Sequence, residues 1–147
     1  MKLCLACSAG GHLAEIMALK DFYSNKDHFF LTFERQDTKS LAEKEKVVFV
    51  TYPQNFFSYL ASFIDCVKVI LKEKPQAIIS TGSHVGIFAC LIGKFLGKKV
   101  VFIESFCRTK EPSKSGKIAY LFADLFIYQW KDLQKFYPKG VYGGSIF

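Results

Sequence analysis

Three short polar clusters in this chain carry residue types that could do chemistry. The first is Ser8-Ala9-Gly10-Gly11-His12, directly after an apolar run. Paired glycines let a backbone approach a ligand closely, and a helix beginning there offers unpaired N–H groups suited to a phosphate. His12 could accept a proton from a hydroxyl or bond a phosphate, or it could simply cap or pack its helix. The second cluster, Thr81-Gly82-Ser83-His84, repeats the small-residue design, with His84 open to the same two readings. The third begins at Glu104 and continues to Arg108 and Lys110. A carboxylate at the mouth of an apolar strand is costly unless it is partnered or functional, and the cations after it suit a phosphate.

The glycine spacing is neither G-x-G-x-x-G nor G-x-x-x-x-G-K-[ST]. A dinucleotide-binding or P-loop role is therefore weakly supported, and tight turns remain an alternative for both clusters.

Positioning these clusters requires an alternation that the sequence shows. Leu3–Cys7, His28–Phe33, Val47–Val50, Ala77–Ser80, Val100–Ile103 and Leu125–Tyr128 read as strands. Helices are expected from the glycine turn to about Tyr23, over Gln54–Lys72, His84–Leu96 and Ser113–Leu121, and briefly over Trp130–Phe136. Residues 33–46 read as a loop or a poorly anchored helix. Strands as uniformly apolar as VVFV and VVFI fit burial on both faces. The expected fold is α/β, a Rossmann-like doubly wound parallel sheet forming a single domain over residues 1–147. In such a sheet ligands gather at the carboxyl ends of the strands, which is where all three clusters fall.

Composition narrows the function classes. The 147 residues carry a net charge of +7 and a mean hydropathy of +0.17. Within residues 94–117, Lys94, Lys98, Lys99, Arg108, Lys110, Lys114 and Lys117 stand against only Glu104 and Glu111, a patch that would attract phosphates. With no helix-turn-helix signal, zinc motif or basic–aromatic repeat, a nucleic-acid partner is not expected. No apolar run reaches the ~20 residues of a spanning helix, and the chain opens on a strand rather than a signal peptide. Of the five cysteines, the Cys4-x-x-Cys7 pair lies inside a strand pattern and reads as buried small hydrophobes, and the compartment is expected to be reducing.

Several blocks together resemble a known family. They are Ser8-Ala9-Gly10-Gly11-His12-Leu13, Ile79-Ser80-Thr81-Gly82, Ile103-Glu104-Ser105-Phe106-Cys107-Arg108, Pro112-Ser113-x-x-Gly116-Lys117, Gln129-Trp130 and Tyr142-Gly143-Gly144. The family is the membrane-associated subunit of the two-component UDP-N-acetylglucosamine transferase of dolichol-linked oligosaccharide synthesis, with bacterial capsular and exopolysaccharide relatives. The resemblance implies the N-terminal, acceptor-side half of a GT-B glycosyltransferase.

On that basis the chain is expected to help an inverting transferase move a sugar from a UDP-sugar to a lipid-diphosphate-linked saccharide. Ser8, Gly10, Gly11, Thr81, Gly82, Ser83, Arg108 and Lys110 would hold the acceptor and its phosphates. His12 or Glu104 would be the base or orienter. A separate donor-binding subunit would hold most of the UDP-sugar and dock on Trp130, Tyr142 and Phe147. No cofactor or metal is expected, since no Asp-x-Asp sequence occurs. The expected location is the cytoplasmic face of a membrane, with peripheral attachment. The helix after the fourth strand, apolar nearly all round, would supply an apolar face beside the basic patch. The alternative is a non-catalytic membrane scaffold that recruits a soluble transferase.

Overall fold

The computed structural model describes residues 1–147, and its centre is β1, Lys2–Ala6. Successive side chains along a strand point to opposite faces, so β1 feeds two cores at once. Cys4 and Ala6 join a cluster with Phe29, Leu31, Ile78 and Phe102, while Leu3, Leu5 and Cys7 join Leu13, Ile16, Tyr23 and Phe30 on the other side. Cys4 and Cys7 therefore face away from each other. Burial drives both thiols up, and it holds Cys66 and Cys90 near 12, as expected for cysteines that pack rather than react.

Seven parallel strands are ordered β3-β2-β1-β4-β5-β6-β7, where β2 is Asp27–Phe33, β3 Val47–Val50, β4 Ala77–Ser80, β5 Lys99–Ile103, β6 Leu125–Tyr128 and β7 Val141–Tyr142. The chain winds outward from β1 through β2 to β3, then returns to β4 on the opposite side of β1. The order thus reverses between β1 and β4, with Leu5 beside Ile79 and Ala6 beside Ser80. A crevice opens at such a reversal, and the Gly10-Gly11 and Thr81-Gly82 turns flank it.

The helices are α1 Gly11–Met17, α2 Lys20–Tyr23, α3 Gln36–Ala42, α4 Phe56–Glu73, α5 Ser83–Phe95 and α6 Lys114–Tyr120. α4 starts at a reciprocal cap in which Asn55 Oδ1 accepts from the Ser58 N–H at 3.0 Å and Ser58 Oγ accepts from the Asn55 N–H at 2.8 Å. It ends on Lys74 in the left-handed region before Pro75.

Four expectations need correction. The first helix breaks at Ala18–Leu19 into α1 and α2. Residues 33–46 contain a well-anchored helix, α3: Thr38 is buried, its Oγ1 accepting from the Arg35 N–H at 2.8 Å and donating to the Phe33 carbonyl at 3.0 Å. The Trp130–Phe136 helix shrinks to a 3-10 turn at Lys131–Leu133, and the tail beyond it adds β7 as an edge strand on β6.

The fourth concerns α5. Its second apolar face is covered by α4 and α6, with Phe63 and Phe88 ring centroids 5.4 Å apart, and only its end, with Phe95 at 87%, is strongly exposed. The unpartnered apolar surface lies instead at the start of α4, where Phe56 and Phe57 are 76% and 78% exposed and Leu60 and Ile64 continue the face. The basic stretch divides as well. Lys98 and Lys99 sit at the amino end of β5, while Arg108, Lys110, Lys114 and Lys117 follow its carboxyl end. No helix is long and apolar enough to cross a membrane.

Candidate functional site

An open cleft of about 1120 Å³ lies above the carboxyl ends of β1, β4 and β5, and its lining includes Gly11, His12, Glu15, Ser83, His84 and Arg108. α1 supplies His12 and Glu15, one turn apart on one helix face. The β4–α5 turn supplies Ser83 and His84. The segment after β5 supplies Ser105, Cys107 and Arg108, and α6 adds Lys114 and Lys117.

His12 is held from the β4 side. Thr81 Oγ1 donates to the His12 carbonyl at 2.8 Å, which absorbs the Thr81 hydroxyl in the framework. Gly82 adopts φ +127°, and a Cβ there would sit 2.8 Å from His12 Cε1, so only glycine lets this turn close on the imidazole. Ser83 follows at φ 73°, an unfavourable conformation for a residue with a side chain. Burial pulls the His12 imidazole below its ordinary 6.5, outweighing the opposing pull of the Thr81 contact and Glu104, while Arg108 adds to the lowering. His12 is therefore neutral at pH 7 and able to accept a proton. Its Nδ1 is buried without a partner. His84 is also lowered by burial; it stacks on Phe33 at 5.7 Å with its Nε2 unpartnered.

Glu104 departs from expectation. It is 0% exposed and lies beneath the cleft rather than in its wall. Oε1 accepts from the Ser105 N–H at 3.0 Å, and Oε2 accepts from the Ser113 N–H at 3.1 Å and the Tyr137 hydroxyl at 2.5 Å. Gly116 makes room for it: a Cβ there would come 2.1 Å from Glu104 Oε2. Burial, then the neighbouring Glu104, drives the Tyr137 hydroxyl far above its ordinary 10. Expected as a base or orienter at the acceptor, the Glu104 carboxylate is engaged in fixing the 105–113 loop and the start of α6, and through them the cleft wall.

The carboxylate in that wall is Glu15, which the sequence motifs do not single out. It is buried, with Oε1 accepting from Ser105 Oγ at 2.8 Å and the Phe106 N–H at 3.1 Å. Oε2 has no partner. Burial raises its pKa against those two hydrogen bonds, with Glu104 adding to the rise. Its position three residues after His12 was the available signal.

The phosphate residues divide. Gly11 and Arg108 line the cleft, whereas Ser8, Gly10 and Lys110 do not. The Gly10 N–H donates to Asp37 Oδ2 at 2.7 Å, so an acid of α3 already occupies the amide expected to meet a phosphate. Arg108, Lys110, Lys114 and Lys117 form no ion pair within the chain, unlike Lys94, which binds Asp124 at 2.8 Å. Ser83 Oγ, like Glu15 Oε2 and one nitrogen each of His12 and His84, is buried without a partner. Four of the six such atoms in the chain therefore belong to one cleft, bordered by unpaired cations.

Of the three tail residues, the structure brings two together. Trp130 packs on Phe106 at 5.2 Å and Phe147 reaches the same ring at 5.3 Å, but the Trp130 Nε1–H donates to the Phe106 carbonyl at 2.7 Å rather than remaining available to a partner. The tail is fastened where Gln129 Oε1 accepts from the Ile146 N–H at 2.8 Å. Tyr142 lies apart on β7, its ring 6.0 Å from Tyr128.

Comparison with known proteins shows the fold and the family. Over residues 43–146 the chain matches the model of the family described as "Oligosaccharide biosynthesis protein Alg14 like". A UDP-N-acetylglucosamine transferase subunit from Schizosaccharomyces pombe is 44% identical over 77 residues, covering 49% of this chain and 37% of that protein. The mouse subunit is 29% identical over 184 residues, covering 99% of this chain and 83% of that one. Among solved structures, Acinetobacter baumannii MurG superposes with a TM-score of 0.72 at 12% identity, over 87% of this chain and 40% of its own. The UDP-GlcNAc 2-epimerase of Methanocaldococcus jannaschii gives 0.75 at 15%, over 95% and 42%. At these identities the two structures speak for the fold alone, and this chain spans less than half of either. The family match covers more than half of the chain and runs through the β4 turn, the Glu104 loop and the tail: the chain belongs to the Alg14-like family.

Proposed function

We propose that this chain is the acceptor-binding and partner-docking subunit of a two-component inverting glycosyltransferase, acting on a lipid-diphosphate-linked saccharide with a UDP-sugar as donor. The observation that carries the reading is the gathering of unpartnered buried polar atoms from His12, Glu15, Ser83 and His84 in one cleft beside unpaired cations. The burial cost of these unpartnered atoms is offset when hydroxyl-rich ligands supply partners. Relatives described as transferase subunits support the heteromer.

In this reading the acceptor hydroxyl attacks the anomeric carbon of the donor sugar, and the bond to the UDP oxygen breaks with its electron pair leaving on UDP. The hydroxyl proton passes to His12 Nε2, which burial keeps unprotonated at neutral pH. The Gly11 N–H and Arg108 meet the acceptor diphosphate within the cleft, with Lys110 two residues further along the loop that carries Arg108. The donor is held mainly by the partner subunit, and its phosphates are met by helix dipoles and hydrogen bonds, with no cofactor or metal assigned. The exposed aromatic start of α4 continues to Tyr59 at the cleft, whose lining also includes Lys114 and Lys117, which suits peripheral attachment to the cytoplasmic face of an anionic membrane. The end product, capsule or exopolysaccharide, rests on the sequence resemblance alone.

A second reading is a membrane scaffold that activates a soluble transferase, and two observations favour it: the sealed Glu104 and the Asp37 carboxylate on the Gly10 amide. Reconstitution with the donor-binding subunit separates the two. Loss of transfer in His12→Ala with the complex intact supports the catalytic reading; unchanged turnover leaves the scaffold. Transfer by the purified chain without a partner would overturn the two-component reading.

A further inference from the structure

The geometry points to Glu15 as the carboxylate that holds the acceptor sugar, its Oε2 accepting a hydrogen bond from a pyranose hydroxyl in the cleft. The inference rests on the acceptor-side reading and adds a residue and a contact to it. Three observations carry it. Glu15 lines the cleft while its residue surface is almost wholly buried. Its two oxygens are differently employed: Oε1 grips Ser105 Oγ and the Phe106 N–H, and Oε2 has nothing. The residue also lies one turn from His12 on the side of α1 that lines the cleft, so a sugar bonded to Oε2 is presented beside the imidazole.

The two-sided arrangement determines the ligand class. A buried acceptor oxygen without a donor calls for an O–H or N–H, which a sugar ring carries and an ionised phosphate does not. The cations that would serve a phosphate, Arg108, Lys114 and Lys117, come from other segments of the cleft, so sugar and diphosphate are read by different groups. The grip of Oε1 on residues 105 and 106 fixes the side chain before the ligand arrives, which lowers the ordering cost of binding.

Glu15→Gln tests the assignment, because its amide oxygen can keep the Oε1 partners while the nitrogen replaces Oε2 and turns an acceptor into a donor. In the complex with the donor-binding subunit, using a short-chain isoprenyl-diphosphate-linked N-acetylglucosamine as acceptor, Glu15→Gln should raise the acceptor KM about tenfold or more. The donor KM and complex assembly should not change. Ser105→Ala, which leaves Oε2 in place, should shift the acceptor KM much less. A wild-type acceptor KM in Glu15→Gln overturns the inference, as does an equal effect in Ser105→Ala, which would show that only loop anchoring matters.

A second measurement is independent of turnover. With carboxyl-labelled glutamate in the isolated chain, the Glu15 resonance should move as the same acceptor is added. A Glu15 signal that stays fixed overturns the inference whatever the transfer assay gives. A moving signal without transfer in the complex would instead remove the glycosyltransferase reading and leave the sugar contact standing.

Discussion

Replacing Glu104 by Gln should damage stability far more than its conservative chemistry implies. Glu104 has no exposed surface, and its oxygens accept from the Ser105 N–H, the Ser113 N–H and the Tyr137 hydroxyl. An amide keeps one acceptor oxygen. Oriented toward Ser113 and Tyr137, it sets its NH₂ against the Ser105 N–H, donor against donor; flipped, it loses the other two bonds. Hydrogen bonds to a charged group are worth about 1.5–3 kcal/mol each, and an unpartnered buried donor costs about 1–3 kcal/mol more. The expected loss is therefore about 3–5 kcal/mol, a large share of the roughly 5–15 kcal/mol that holds a domain together. At about 2–4 °C per kcal/mol, the melting temperature should fall by about 10 °C. Circular dichroism melts of Glu104→Gln, Tyr137→Phe and the double variant would measure the loss and the coupling between the two side chains. If Glu104→Gln melts like the wild type yet abolishes transfer in the complex, the carboxylate serves chemistry and the structural assignment is wrong.

Gly82→Ala places a methyl 2.8 Å from His12 Cε1 at φ +127°; we expect a cost of about 1–3 kcal/mol and a displaced imidazole, read as lost transfer at near-normal complex assembly. Hydrogen bonds from Lys2 and then Lys46 hold Glu73 down to about 2, below its ordinary 4.5. The stability it contributes is complete above pH 4.5 and is lost as pH falls toward 2, so Glu73→Gln should flatten the acid limb of urea midpoints in that window. Truncation after Tyr142, or Trp130→Ala, removes the aromatic contacts on Phe106 and should weaken association with the donor-binding subunit by more than about 1 kcal/mol; unchanged co-purification would rule out that interface. The double substitution of Phe56 and Phe57 by Ser should reduce flotation with anionic liposomes without changing the melting temperature, since both rings are solvent-exposed; equal recovery would move the membrane surface elsewhere.

The order of the first six strands along the chain was legible because each is a short, largely apolar run; β7, two exposed residues at the sheet edge, lacks that pattern. The Gly82 turn was legible too, since glycine beside two small residues after a strand has few other uses. α3 was not, because only Thr38 and Leu41 of it face inward, too few to produce a period. The site was partly hidden for a different reason: its decisive contacts join residues far apart in the chain. Glu15 meets Ser105 across 90 residues, the Gly10 amide meets Asp37 across 27, and Tyr137 seals Glu104 from 33 residues downstream. Glu104 was identified as an acid that burial would make expensive, and that was sound; whether the expense is met by a ligand or by the fold depended on Tyr137 and Ser113, which no local pattern reveals.

Equilibrium binding to the isolated chain tests the acceptor-side assignment most directly. Titration calorimetry would compare a short-chain isoprenyl-diphosphate-linked N-acetylglucosamine with UDP-N-acetylglucosamine, each against the purified chain without any partner. The assignment predicts saturable binding of the lipid-linked sugar, weakened by His12→Ala, and no measurable binding of the nucleotide sugar. Binding of UDP-N-acetylglucosamine alone, with the lipid-linked sugar ignored, would contradict it.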